Sequence, residues 1–134
     1  MKTDFLIIRT SDLPLDMVCR RLGEVAHKHK FGVLGTHDLK EKMISKGVPF
    51  DRECRVFEVC NPQQARAVLH RAMEVSTALP CRIAVYQEGT RTVLATIKPT
   101  ALLEMFRAPE VAAIAEDVEA SMTRIMDEVA GAPR

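Results

Sequence analysis

The sequence predicts a single α+β domain: one largely antiparallel sheet of about five strands, helices on one face, and a long C-terminal helix. Three observations lead there. Short apolar runs of strand character alternate with stretches whose apolar residues recur at helical spacing. A tight turn at Glu88-Gly89-Thr90 joins two of the strand-like runs and requires at least one antiparallel pair, which favours α+β over a doubly wound parallel sheet. The chain's 134 residues leave room for one domain, 1–134, and little more.

Each element has its own signal. Asp4 to Arg9 is a short apolar run bounded by polar residues, a buried strand. Ser11-Asp12-Leu13-Pro14 offers cap residues and a helix-starting proline, and Leu15, Val18, Cys19, Leu22, Val25 and Ala26 then form one helical face. That helix ends in His27-Lys28-His29-Lys30, cations suited to the negative end of the helix dipole. Gly32 to His37 is the second strand. Asp38-Leu39-Lys40-Glu41 has capping-box form and opens a short helix that stops at Gly47. Cys54 to Cys60 is the third strand, and Asn61-Pro62 starts a helix whose buried stripe is Ala65, Val68, Leu69, Ala72 and Met73. Pro80 leads into a fourth strand, Cys81 to Gln87, and Thr92 to Lys98 returns beside it. A short helical segment at Ala101 to Phe106 precedes a long terminal helix, 109–130, with Val111, Ile114, Ala115, Val118, Met122, Ile125, Met126 and Val129 on one face. Gly131 to Arg134 reads as a frayed end.

Composition narrows the function. Nineteen basic residues balance eighteen acidic ones, so the chain lacks the cationic excess that nucleic-acid binding requires. With 4% aromatics and no Trp it also lacks stacking platforms for bases. No run approaches the roughly 20 apolar residues of a membrane span, and the N-terminus has neither the apolar length nor the cleavage site of a secretory signal. A cytoplasmic protein is expected, with its four cysteines as thiols. Several strands are apolar on both faces: Ile83 and Val85 oppose Ala84 and Tyr86, for example. Helices cover one sheet face, and a second subunit is the natural cover for the other, so a homodimer is expected.

Phe31-Gly32-Val33-Leu34, Asp38-Leu39-Lys40-Glu41-Lys42, Val56-Phe57-Glu58-Val59-Cys60-Asn61-Pro62 and Leu79-Pro80-Cys81-Arg82-Ile83-Ala84-Val85-Tyr86 together resemble the domain-of-unknown-function family 302. Asn-Pro after one strand and Leu-Pro before the next are the most specific parts. The resemblance covers 31–99 directly as a family core. It implies a sheet of the TATA-binding-protein-like type, a fold analogy that says nothing about DNA, and it suggests a homodimer. It supplies no activity and no cofactor, and it leaves the terminal helix as an addition that many members lack.

The chemistry-bearing residues gather around one prospective sheet edge. Cys60 lies just before the helix cap Asn61, and Cys81 follows Pro80. If the third and fourth strands are antiparallel neighbours, the two thiols meet; if parallel, they sit at opposite ends. A helix N-terminus favours a thiolate at Cys60, and Arg82 adds to that. Glu58 shares the strand face of Cys60, and His37 ends the second strand within reach. Cys60, Cys81, Glu58, His37, Asn61 and Arg82 are therefore the candidate ligand-binding residues. Structural explanations compete: Asn61-Pro62 suffices as a cap, Leu79-Pro80 as a strand entry, and Cys19 and Cys54 as core packing. His27 and His29 suit a helix end, His70 a solvated surface. No Cys-x-x-Cys or His-x-x-x-His spacing supports zinc, so no metal is assigned. Gly32-Val33-Leu34-Gly35 lies inside a strand without the lysine of a phosphate loop, and Ser11 and Ser45 lack a neighbouring base.

Three functions remain open. The first is a dimeric domain binding a small ligand or a protein partner near Cys60 and Cys81. The second is a thiol-based redox, sulfur-handling, metal-binding or haem-binding activity at the same edge. The third is a scaffold acting through the C-terminal helix. No catalytic residue is assigned.

Overall fold

A computed structural model describes residues 4–131. Residues 1–3 of the N-terminal run and 132–134 of the expected frayed end lie outside the described residues. The strands are β1 (Leu6–Ser11), β2 (Gly32–Asp38), β3 (Cys54–Cys60), β4 (Cys81–Glu88) and β5 (Arg91–Ile97); the helices are α1 (Leu15–Lys28), α2 (Leu39–Ser45), α3 (Pro62–Arg71), α4 (Pro99–Glu104) and α5 (Ala112–Ala130). The strands form one sheet in the order β1-β5-β4-β3-β2, every neighbouring pair antiparallel. This is the α+β architecture the sequence predicts.

Local chemistry explains most of the boundaries. The Asp38 carboxylate accepts a hydrogen bond from the Glu41 amide and opens α2; the Asn61 side chain does the same for α3 through the Gln64 amide. Gly89, at a φ of +62°, takes the first central position of the β4–β5 turn, where a side chain would be strained. Two expectations are corrected. Ser11 does not cap α1: its hydroxyl accepts from the Leu13 amide, and the helix begins behind Pro14 with no side-chain cap. The α3 stripe does not run on to Met73, because Ala72 is extended and the chain continues as a 3-10 helix at Met73–Ala78. That turn brings Val75 inward at 0% exposure and leaves Met73 68% exposed.

The core lies on one sheet face. Ile7, Phe57, Val59, Ile83, Val85 and Leu94 meet Val18, Leu22 and Val25 of α1 and Met122, Ile125, Met126 and Val129 of α5. A second cluster, Val68, Ala72, Val75, Leu103, Val111 and Ala115, sits where α3 and α4 meet the start of α5. The terminal helix thus belongs to both cores. Its last turn is tied to α1 by the Arg21 guanidinium, which donates to the carbonyls of Glu128 and Val129. Lys28 and His29 both pair with the Glu128 carboxylate and hold its pKa below the ordinary value.

Met122→Ala and Ile125→Ala each open a cavity at a fully buried site and are expected to cost about 2–5 kcal/mol in urea unfolding. Truncation after Ala108 removes one wall of both cores and is expected to abolish the cooperative transition.

Candidate functional site

β3 and β4 pair with Val59 opposite Cys81 and Glu58 opposite Arg82. The end of one strand therefore lies beside the start of the next, although residues 61–80 come between. At this end Cys60 and Cys81 line one partly open cavity of about 40 Å³, with Gln64 and Val68 of α3, Leu79 ahead of β4, and Leu102 of α4 in its walls. Roughly 10–15 Å³ of such space holds one water, so about three water-sized groups fit. An outer cleft of about 310 Å³ shares Leu79, Pro80, Cys81 and Leu102 with the cavity and opens towards Met105 and Phe106. A larger open groove, about 610 Å³, runs between α4 and the start of α5 with Lys98 and Arg107 on its rim; it shares Leu103 with the cavity and has no cysteine or histidine in its walls.

All four cysteines are free thiols. Burial pushes the Cys60 thiol above its ordinary value of 9.0, and it pushes Cys81 up to about 11, with the charge of a neighbouring Cys60 thiolate adding to the rise. The expectation of a dipole-stabilised thiolate at Cys60 is thereby corrected: desolvation wins. Arg82 gives no help, because its guanidinium turns to Glu58. Cys19 and Cys54 are also raised, chiefly by burial, and Cys19 packs against the main core beside Arg55.

The structure divides the six candidate residues into two groups. Cys60, Cys81 and Asn61 line the cavity. Glu58, His37 and Arg82 do not; they form a cluster on the sheet face away from the helices, the face opposite to fully buried Val59. Glu58 Oε2 lies 3.5 Å from His37 Nε2 and 3.5 Å from Arg82 Nη2. Its other oxygen sits over Gly35, where an added Cβ would come within 2.6 Å of it. A bulge in β2 between Val33 and Gly35 sets this placement. Among the described residues, no three His, Cys, Asp or Glu side chains gather where one metal ion could be held.

Two contributors escape sequence reasoning. Gly35 matters only because β2 pairs with β3 at Glu58. Gln64 lines the cavity, and its Oε1 is buried with no hydrogen-bond partner, while its backbone amide is engaged by Asn61. The one signal for Gln64 was spacing: it lies four residues after Cys60 and four before Val68.

The thiol chemistry gives a pH dependence. An unfolded thiol titrates near 9.0 and Cys81 in the fold near 11, so between these values the native state binds more protons than the unfolded chain. Stability then falls as pH rises through that window, by on the order of 2 kcal/mol from Cys81, and this slope is expected to shrink in Cys81→Ala. Iodoacetamide labelling of Cys81 should correspondingly be slow at pH 7 and accelerate above pH 9, whereas urea-unfolded chain labels readily at both. Gly35→Ala is expected to displace the Glu58 carboxylate, moving the His37 ring resonances while changing stability by less than about 1 kcal/mol, since half-exposed ion pairs contribute little.

Comparison with known proteins places the chain. The model of the family described as "Domain of unknown function DUF302" matches residues 7–129, a span that takes in α5 as well as the 31–99 core. The crystal structure of the uncharacterized conserved protein DUF302 from Bacillus stearothermophilus is similar at 33% identity and a TM-score of 0.90, over 94% of this chain and 98% of that one. No curated protein matches the chain. A match over nearly the whole length, in sequence and in fold, means that the chain belongs to the DUF302 family.

Proposed function

We propose that this chain is a small-ligand-binding domain whose site is the cavity marked by Cys60 and Cys81, and that it works as a homodimer. The observation that supports the site is convergence: two thiols from adjacent strands and the Gln64 side chain line one apolar cavity with an outer cleft leading to it. Protonated, desolvated thiols serve as soft, weakly polar wall groups better than as nucleophiles. The alternative of thiolate or haem chemistry fits less well, since thiolate is scarce at neutral pH and a cavity of about 40 Å³ is too small for a macrocycle. A scaffold acting through the C-terminal helix also fits less well, because α5 buries its apolar face within the chain's own cores.

The dimer reading rests on the uncovered sheet face. Strand alternation puts Ile8, Ala95, Ala84, Tyr86 and Val56 there, opposite to the core-facing residues. Glu58 and Arg82, of opposite sign, border this apolar surface, so the same patch complements itself across a two-fold axis.

Xenon, followed through backbone amide shifts, is expected to perturb residues around Cys60, Leu79 and Cys81, and Ala65→Leu, which fills the cavity, is expected to erase the effect. Shifts confined to the Lys98–Arg107 groove would count against the site. Sedimentation is expected to report a dimer that Ala95→Arg converts to monomer; a monomeric wild type would remove the dimer reading.

A further inference from the structure

We infer that the outer cleft is a shared site: a second copy of this chain, seated on the uncovered sheet face, supplies its missing wall, so that ligand binding and dimerisation strengthen each other. This rests on the small-ligand and dimer readings above, and three observations join them.

Position comes first. The cleft of about 310 Å³ is lined by Arg82 and Ile97 as well as by Leu79, Leu102, Met105 and Phe106. Strand alternation puts Ile97 on the face of Ala95, and Arg82 on the face of Ala84, opposite to the core-facing Leu94 and Ile83. The cleft therefore lies where the uncovered face meets the end of the sheet, and two of its residues belong to both. Exposure comes second. Along β5 the residues of that face grade from Val93, 2% exposed, through half-buried Ala95 to Ile97, 44% exposed. The apolar surface left to water is thus concentrated at the cleft end, and it resumes across the cleft at Met105, 74% exposed. Single exposed apolar residues are ordinary, but a patch bordering a cleft marks an interaction surface.

Charge comes third and says what covers the patch. Among the described residues Arg82 has one ion pair, a 3.5 Å contact from Nη2 to Glu58, which leaves most of its five N–H donors unspent. Arg82 and Glu58 stand opposite each other across β4 and β3, so the rim of the patch carries both signs. Such a surface complements itself under two-fold rotation, and a second copy satisfies it. Seated there, that copy overhangs Ile97 and closes the cleft between Ile97 and Met105, taking its apolar walls out of water. A ligand that touches both copies binds the dimer more tightly than the monomer, and by linkage strengthens the dimer by the same factor.

Benzene, small and uncharged, is the probe. Followed through the backbone amides of Leu79, Arg82 and Ile97 in the full chain, it is expected to bind about fivefold or more tightly where sedimentation shows dimer than after dilution to monomer. Ala95→Arg lies outside the cleft wall, yet is expected to hold benzene at the monomer's affinity throughout. In dimers that mix isotope-labelled and unlabelled chains, the Ile97 and Met105 methyls are expected to show cross-protomer NOEs. A dimer whose cross-protomer NOEs miss Ile97 and Met105, or whose affinity for benzene equals the monomer's, overturns the shared site while leaving the dimer itself in place. A wild type monomeric at every concentration removes it together with the dimer reading. Benzene shifts that miss the cleft remove it together with the ligand reading. The NOE measurement needs neither dilution nor a variant, so it decides whether or not Ala95→Arg folds.

Discussion

The pairing of β3 with β4 is the constraint on which the rest of the structure depends. Because the strands are antiparallel neighbours, the segment 61–80 must leave and re-enter the sheet at the same end. A two-residue hairpin would satisfy that requirement; this chain instead builds α3 and a 3-10 helix into the connection. Those extra elements have an apolar side that must be covered. Leu103 of α4, Val111 just ahead of α5 and Ala115 in its first turn cover it, which creates the second core cluster. The cavity lies at the seam between this cluster and the sheet, lined from both sides by Val59 and Val68. A cavity at this seam is thus a by-product of topology as much as of any motif.

Strand geometry then separates residues that the sequence sets side by side. Val59 and Cys81, opposite each other, take the helix-covered face, while Glu58 and Arg82, one residue away, take the other. Cys60 shares the parity of Glu58 but stands where β3 turns into the Asn61 cap, and there it lines the cavity with α3. One stretch, 58–60, consequently feeds two environments. The Glu58 cluster belongs to the half-exposed face that the dimer would cover, and the half-buried thiols belong to the cavity wall.

What was legible in the sequence was what local chemistry decides. Asp38 and Asn61 as caps, Gly89 in the turn, and β3 from Cys54 to Cys60 follow from residues within a few positions of each other. What was not legible depends on partners distant in sequence. The break at Ala72 follows from where Val75 packs, the bulge at Leu34 from the register with β3, and the close approach of the Glu58 carboxylate to Gly35 from the pairing across the sheet. The thiols show the contest in magnitude. A helix N-terminus contributes about 0.3–1 kcal/mol, less than one pKa unit. At Cys60, beside the helix cap, burial still raises the thiol; at Cys81 burial, with the Cys60 charge adding, raises it from 9.0 to about 11, and burial is a tertiary property that spacing does not encode.

That outcome bears on what the thiols are for. At a pKa of about 11, neutral solution leaves Cys81 as thiolate in roughly one molecule in ten thousand. A nucleophile so rarely charged would need a base beside it, and among the described residues no Asp, Glu, Lys or His lines the cavity, while Glu58 and His37 pair with each other, and Glu58 with Arg82, outside it. A binding wall has no such requirement. There a protonated thiol contributes bulk, polarisability and a weak hydrogen bond without the cost of a buried charge. The same desolvation that weakens Cys60 and Cys81 as reagents suits them to stand in the wall of an apolar cavity.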